Sequence, residues 1–528
     1  MSSNNNGVVY TKSWVVNLIL DMVGFSPEKP LWKMVAVEPS CGEGSFLKSM
    51  AERVALSAER DGSFEAELMM GCVVSYDTDV ASVDASRRAV ASVMSGHGLS
   101  AEDAEAVARN WVRCDDYLLA ESVTADFVIG NPPYVRATDI GSGLRKEYCG
   151  IHQTMTMGCD LYVAFIEHGL SQLGSNGKLC FICADRWLQN QYGTSLRKFV
   201  SDGFHIDSVV KMHDVDAFES QVSAYPAITL LDRGEGRIKY VGCNADFDET
   251  STGELLSWLD SDCRDFTCRS FEAGLIPEPH GGSIVPLASP SKSRRILELS
   301  ESLPTLEDSG VNLGIGLATG RDSVFITDEP GIVEPGRMLP VFNMRDWRRG
   351  KREKQRWLIN PWNEDGTLVD LSRYPRTKAY FEANRETLEK RHVAKKNPDG
   401  WYRTIDKPKW ELLGKPMLLF PDMAGKAEPV YAEGSKYPCH NCYWLVSDTW
   451  DLKVLGGLLM SEVAESFVDA MGVKMRGGTL RFQAQYLRLI HVPTPDSIDD
   501  QTKGELKAAF EAGDRDAATS AAMKAYAL

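Results

Sequence analysis

Asp126-Phe127-Val128-Ile129-Gly130-Asn131-Pro132-Pro133-Tyr134 is the stretch from which the fold is read. Phe127, Val128 and Ile129 are a short apolar run suited to the middle of a parallel sheet, and Gly130 ends it. Pro132 and Pro133 lack an N–H and fix φ, so the turn is stiff. Their carbonyls and the Asn131 side chain are then available as acceptors, with the Tyr134 ring beside them. An exocyclic amino group on a nucleobase is a poor nucleophile because its lone pair is delocalised into the ring. Two acceptors, the Asn131 side-chain oxygen and the Pro132 carbonyl, each taking one N–H, would free that lone pair by positioning and electrostatics alone. The same residues also make an ordinary rigid turn, so the surrounding sequence has to decide.

Upstream, Ser13 to Val23 places Val15, Val16, Leu18, Ile19, Met22 and Val23 on one helical face, with Thr11 just before it. Met34-Val35-Ala36-Val37-Glu38-Pro39-Ser40-Cys41-Gly42-Glu43-Gly44-Ser45 reads as strand, glycine turn and helix start. Glu38 ends the strand, and Gly42 and Gly44 allow close backbone approach to a ligand. The spacing is neither that of a dinucleotide fingerprint nor that of a phosphate loop. A second strand, Cys72 to Tyr76, ends at Asp77 and Asp79, where a doubly wound sheet grips a ribose, although Asp79 also suits a helix N-cap. A helix over Ala81 to Val93 follows. Asp115-Asp116-Tyr117 then offers carboxylates and an aromatic face.

Composition is that of ordinary globular material, long enough for about two to four domains. No run is long enough to span a bilayer and the N-terminus lacks the order of a signal peptide, so a cytoplasmic protein without membrane contact is expected. The net charge of −16 excludes a broadly basic coat but not a local basic cleft. The twelve cysteines are scattered, as in a reducing compartment. Cys180 and Cys183 lie in an apolar strand-like run, and Cys439 and Cys442 have no second pair at ligand spacing, so no metal is expected.

Taken in order, Glu38 to Gly44, Asp77, Asp116-Tyr117 and Asn131-Pro132-Pro133-Tyr134 resemble the S-adenosylmethionine-dependent DNA adenine-N6 methyltransferases of the gamma, TaqI-like arrangement, of restriction-modification type. The resemblance implies an α/β fold with a doubly wound, mostly parallel sheet and a mixed α+β C-terminal recognition domain. It implies that Thr11 and Glu38 hold the methionine end of S-adenosyl-L-methionine, and that Pro39, Cys41, Gly42 and Gly44 also bind the cofactor. Asp77 would hold the ribose, and Asp116 and Tyr117 the adenine. Asn131, Pro132, Pro133 and Tyr134 would receive the target base. Asp160 to Glu167 and Gly177 to Ile182, read as helix and strand, continue the likeness. Ala217-Phe218 before Ala227 to Leu231 is similar to the closing hairpin whose aromatic stacks on the flipped base, which makes Phe218 the second stacking candidate. The alternative for Phe218 is the core.

The expected division is a catalytic domain over 1–245, a connecting segment over 246–310, a DNA target-recognition domain over 311–495 and a helical tail over 496–528. Arg345 to Trp357 is the densest basic run; Arg345, Arg348, Arg349, Lys351 and Arg352 are its candidate contacts to duplex DNA. Arg476 and Arg481 join them at the far end of that domain. Leu388 and Arg391 are expected on a helix. Competing readings keep the acceptor motif but change the target to RNA, cytosine N4 or a glutamine amide; another is a DNA-specificity module without catalysis. A cytosine-C5 enzyme would need the Pro438-Cys439 dipeptide, which is far from the sheet motifs. Only about 35 residues precede the cofactor strand, too few for a nuclease core. Any cognate endonuclease is therefore expected on a separate chain, and this one is expected to act as a monomer.

Overall fold

The structure, a computed structural model, describes residues 9–156, 158–220, 225–352, 354–472 and 480–528. Two compact units divide the chain, Met1–Leu297 and Glu298–Leu528.

The first unit is built on a ten-stranded sheet. Its strands are β1 (Ala36–Glu38), β2 (Val73–Asp77), β3 (Val112–Cys114), β4 (Ala125–Gly130), β5 (Leu173–Ala184), β6 (His205–Lys211), β7 (Pro226–Asp232), β8 (Ile238–Cys243), β9 (Phe266–Thr267) and β10 (Phe271–Ile276). The order is β3-β2-β1-β4-β5-β7-β6-β8-β10-β9. Strands β1 to β5 pair in parallel, and β7 enters antiparallel between β5 and β6.

Alternation along each strand gives both faces an apolar surface. Phe127, Ile129, Cys180 and Ile182 pack on one face beneath helices α1 (Ser13–Val23), α2 (Ser45–Arg60), α3 (Ala66–Met69), α4 (Val80–Gly96) and α5 (Ala101–Trp111). Val37, Val128, Leu179 and Phe181 pack on the other. There, beyond the exposed helix α6 (Ser142–Ile151), helix α7 (Tyr162–Gln172) supplies Val163, Phe165 and Leu170. Burial on both faces explains why Phe127-Val128-Ile129 has no polar position. The unit is the doubly wound, mostly parallel α/β sheet that the sequence predicts.

Gly130 stands where β4 passes β1: a Cβ there would lie 3.3 Å from Pro39 and 3.6 Å from Glu38. The two motif-bearing strand ends are thus as close as backbone packing allows. Sheet order reverses at this pair, with β2 and β3 on one side and β5 on the other, and a doubly wound sheet binds ligands outside the carboxyl ends at such a point.

Within 246–310, expected as a connecting segment, β9 and β10 extend the sheet, with β10 antiparallel to β8 over Phe271 to Ile276, and a helix occupies Pro290–Ser302. Phe271, Ala273 and Ile276 are buried at its edge, a pattern too short to stand out from Pro- and Gly-rich neighbours.

In the second unit, one four-stranded antiparallel sheet runs Val311–Ile315, Cys442–Ser447, Met417–Pro421, Val430–Ala432; a mixed four-stranded sheet runs Ile326–Thr327, Arg356–Ile359, Met338–Phe342, Tyr437–Pro438, its last pair parallel. Leu388 lies on the helix Arg385–Glu389, whereas Arg391 falls between helices as the N-cap of His392–Lys396. The tail, expected as one helix, is two: Asp500–Ala512 ends at Gly513 with φ +67°, and Asp514 caps Arg515–Ala525. The left-handed glycine followed by an N-cap breaks a segment whose composition alone reads as continuous. No helix among the described residues is long and apolar enough to cross a membrane.

Candidate active site

A cavity of about 910 Å³ opens at the carboxyl ends of β1, β2 and β4. Thr11, Glu38, Pro39, Cys41, Gly42, Asp77, Asp116, Tyr117, Asn131, Pro132, Pro133 and Tyr134 all line it. Motifs dispersed over more than a hundred residues therefore face one space, within the size range of small-molecule and cofactor sites.

Asn131 is the best-defined side chain in it. Its Nδ2 donates to the Val9 carbonyl at 3.0 Å and to Thr11 Oγ1 at 3.2 Å, while Oδ1 is buried without a partner among the described residues. The amide is therefore held by its donor end, and its acceptor end is left over. Residues 10–12 are themselves held by a short antiparallel ribbon: Lys12 N donates to the Ala217 carbonyl at 3.0 Å and Glu219 N to that of Tyr10 at 2.9 Å. Thr11 thus stands opposite Phe218.

Tyr134 meets Phe218 edge-on, ring centroids 6.3 Å apart. Its hydroxyl is buried and has no partner among the described residues. Burial, then the nearby Cys183 and Asp185, push its pKa up, so it remains a neutral phenol. Phe218 is 6% exposed and packs with the core face of the sheet.

On the β1 side, Glu38 is 1% exposed and its Oε2 has no partner. Burial, reinforced by Asp77, raises its pKa well above the carboxylate range. An isolated buried carboxylate is costly, so the site is built for a cationic or donor-rich ligand. Burial and the neighbouring Glu38 likewise push the Cys41 thiol up to about 12, which excludes it as a thiolate nucleophile at neutral pH. Asp77 Oδ2 accepts from Gly42 N and Oδ1 from Asp79 N, both at 2.9 Å, which fixes its carboxylate at the cavity edge. Asp79 accepts from Ser82 N at 2.8 Å and is the N-cap of α4.

Gly44 does not line the cavity. Its φ of +92° starts α2, and a Cβ would lie 3.2 Å from the Ser86 backbone, so this glycine serves helix packing and not ligand approach. Asp116 accepts from Tyr148 Oη at 2.5 Å and from Leu118 N at 3.0 Å. Tyr117 is 2% exposed; its hydroxyl donates to Gln172 Oε1 at 2.9 Å and its ring lies 5.3 Å from that of Phe165.

Sequence reasoning missed Tyr10, Tyr148 and Phe165, all of which line the cavity. Phe165 sits within a quoted motif and its helical position was a usable signal. Tyr148 had none, because its relation to Asp116 is tertiary. Tyr10 is adjacent to Thr11; burial, then a hydrogen bond with Glu43, raise its pKa to about 12.

The basic run of the second unit is arranged differently. Asp346 and Arg356 form an ion pair, and Lys354 pairs with Asp328 at 2.7 Å. Arg348 donates to the Met423 carbonyl at 2.9 Å, Arg352 lies over the Trp347 ring at 4.6 Å, and Arg481 pairs with Asp422 at 3.0 Å. Arg391 is turned inward, donating to the carbonyls of Trp401 and Arg403, each at 2.8 Å. Arg345, Arg349 and Lys351 are exposed and carry no ion pair among the described residues. Arg476 lies outside the described residues. Cys439 and Cys442 are buried, the Cys442 thiol against the Cys439 carbonyl at 3.1 Å, and no metal-binding cluster occurs among the described residues.

Residues 96–218 match the Eco57I restriction-modification methylase family. The chain is 38% identical over 531 residues to the type II methyltransferase M.PaeR7I of Pseudomonas aeruginosa, covering 99% of this chain and 92% of that one. It is 37% identical over 534 residues to the type II methyltransferase M.XhoI of Xanthomonas vasicola, covering 99% and 98%. A solved structure of the type IIL restriction-modification enzyme MmeI in complex with DNA superposes with a TM-score of 0.57 at 13% identity, over 97% of this chain and 71% of that one. That last likeness concerns the fold alone.

Proposed function

Because the chain belongs to the type II DNA methyltransferases of restriction-modification systems, which it matches along almost its whole length, we propose that it methylates the N6 amino group of an adenine turned out of a specific duplex sequence. DNA is the substrate and S-adenosyl-L-methionine the cofactor. The residues fit that cofactor: the buried Glu38 carboxylate, whose Oε2 has no partner among the described residues, suits an ammonium, and fixed carboxylates at Asp77 and Asp116 suit hydroxyl and amino donors. When bound, the cofactor supplies a methyl group on a sulfonium.

The residues of the chain do the rest. Thr11 and Glu38 border the methionine end, Asp77 holds the ribose, Asp116 takes the adenine amino group, and Tyr117 with Phe165 forms the adjoining aromatic wall. At the acceptor, Asn131 Oδ1 and the Pro132 carbonyl each take one N–H of the target amino group, drawing the nitrogen toward tetrahedral geometry. The freed lone pair would take up the methyl group as its bond to the sulfonium sulfur breaks, the electron pair staying on sulfur as a neutral thioether, and one of these protons would leave to solvent. Tyr134 gives the extruded base a stacking face, with Phe218 edge-on behind it. Stacking on an aromatic contributes about 1–3 kcal/mol per base, enough to offset much of the cost of extrusion.

The observation that carries this reading is the tethering of Asn131. An amide anchored at Nδ2 by Val9 and Thr11, with Oδ1 buried and free, is preorganised to accept a hydrogen bond from a bound ligand. Residues 311–495 are read as the target-recognition domain, with Arg345, Arg349 and Lys351 free to meet phosphates. The test is to express the chain in a host lacking methylation and sequence modified bases. N6-methyladenine at one position of one motif is expected; N4-methylcytosine, or no mark, overturns the reading.

A further inference from the structure

Helix α6 is held down by very little. Of its ten residues only Tyr148 is buried, at 4% exposure, whereas Leu144 is 38% and Ile151 55% exposed. An amphipathic helix ordinarily docks through a stripe of apolar side chains; this one docks through a single tyrosine. That tyrosine enters the cofactor cavity, and its hydroxyl donates to Asp116 Oδ2 at 2.5 Å. Beyond the helix the chain is anchored more firmly: His152 is buried, and Gln153 N and Thr154 N donate to the Glu167 carboxylate at 2.9 and 2.8 Å. Arg145 reaches the Ala137 carbonyl at 3.4 Å, and His152, just after the helix, contacts the Leu118 carbonyl at 3.1 Å.

Asp116 in turn is held at both oxygens, by Tyr148 at Oδ2 and by Leu118 N at Oδ1. Each carboxylate oxygen keeps a further acceptor direction. The carboxylate therefore presents free lone pairs in one fixed orientation, so an incoming amino group meets an acceptor that need not be ordered on binding. A charge-assisted hydrogen bond of this kind is among the stronger neutral-pH contacts. Burial, then the bond to Asp116, hold the phenol far above its ordinary pKa, so it stays a donor through the physiological range.

We propose that Tyr148 is a positioning residue for the cofactor: its hydroxyl fixes Asp116 for the adenine amino group. This rests on the assignment of Asp116 to the cofactor adenine made above. No reacting atom touches Tyr148, so its contribution is to cofactor selection and affinity and not to the methyl-transfer step.

The test compares two ligands by calorimetry on the full chain, S-adenosylhomocysteine and its 6-oxo analogue S-inosylhomocysteine, which lacks the amino donor. Wild type is expected to prefer the amino ligand. Tyr148→Phe keeps the ring and removes the hydroxyl, and should lower that preference by about tenfold, with little change in affinity for the 6-oxo ligand. Adding Tyr148→Phe to Asp116→Asn should produce no further loss, because both act on the same amino group. A uniform weakening of both ligands, or an unchanged preference, overturns the proposal and leaves Tyr148 as packing. If Asp116→Asn itself leaves the preference intact, the adenine assignment falls and the proposal with it. The readout is independent of which DNA base is methylated, so an error in the target base leaves the result interpretable.

Discussion

Two glutamates show how differently the two units use polar groups. Glu38, in the cavity of the first unit, is buried with one oxygen unpartnered, and its pKa is raised. Glu334, in the second, accepts from the backbone N–H of Arg376 at 2.7 Å and from Thr377 N and Oγ1 at 2.9 and 2.6 Å. Although its partial burial opposes it, those bonds hold its pKa down at about 2. The same contrast separates the acceptor loop from the basic run. Asn131 and Tyr134 keep buried atoms that folding leaves unsatisfied among the described residues, whereas Arg348, Arg356 and Arg391 are engaged inside their own unit. A polar group left unsatisfied in a native structure asks for an explanation, and a ligand is the economical one here; a dense charge run asks for none until its internal partners have been subtracted.

The comparison is broken most sharply at Asn131. Asn131→Ala should lower kcat by about a hundredfold to a thousandfold while cofactor affinity, read by calorimetry, stays nearly constant. Near-wild-type turnover would mean that the free Oδ1 has no role.

Next in size is Asp77→Ala, expected to weaken cofactor binding about tenfold or more through loss of charge-assisted hydrogen bonds. Unchanged affinity in a titration would detach the ribose from β2.

Glu38→Gln tests the raised pKa. A carboxylate whose folded pKa lies above its unfolded value favours folding most at low pH, and that contribution is lost as pH rises through the folded value. The cofactor-free variant should therefore melt higher than wild type at neutral pH while binding cofactor more weakly. A lower Tm at neutral pH contradicts the assignment.

Replacing Arg345, Arg349 and Lys351 together with Ala should flatten the salt dependence of DNA binding by about 0.9 per lost phosphate contact. Arg356→Ala, which removes the partner of Asp346, should instead lower stability and leave that slope alone. Equal slopes in both variants would end the distinction between free and engaged cations.

The smallest effect is expected at Glu334. Its folded pKa is depressed, so its contribution is present above about pH 4.3 and lost as pH falls through about 2. The Tm gap between wild type and Glu334→Gln should close as pH falls through that window; a gap constant with pH would mean that the bonds do not discriminate the charged form.

What was legible in the sequence was local. Helix α1 spans Ser13–Val23 as its apolar spacing predicts, and β4 is fixed by an apolar run with a glycine stop. Strands buried on both faces announce themselves by continuity. Strands β9 and β10 do not, because they are short and flanked by turn residues. Apart from Thr11, which the ribbon to Phe218 brings in, the cavity residues named from motifs converge because each ends a strand or follows one, a position that sheet topology brings together. Tyr148 escaped because its meaning comes from Asp116, 32 residues away, and no spacing encodes it. The charge run misled in part, since Asp346, Asp328 and Asp422 lie near or far in sequence with nothing to mark them as partners.

The ribbon joining residues 10–12 to residues 217–219 also dictates an order of assembly. Val9 and Thr11 orient Asn131, and the segment that carries them is held in turn by Asp216, Ala217, Phe218 and Glu219. As the chain leaves the ribosome at about 5–20 residues per second, the cofactor-facing strands exist many seconds before that pin does. The anchoring of Asn131 is thus completed by a segment made well after Asn131 itself.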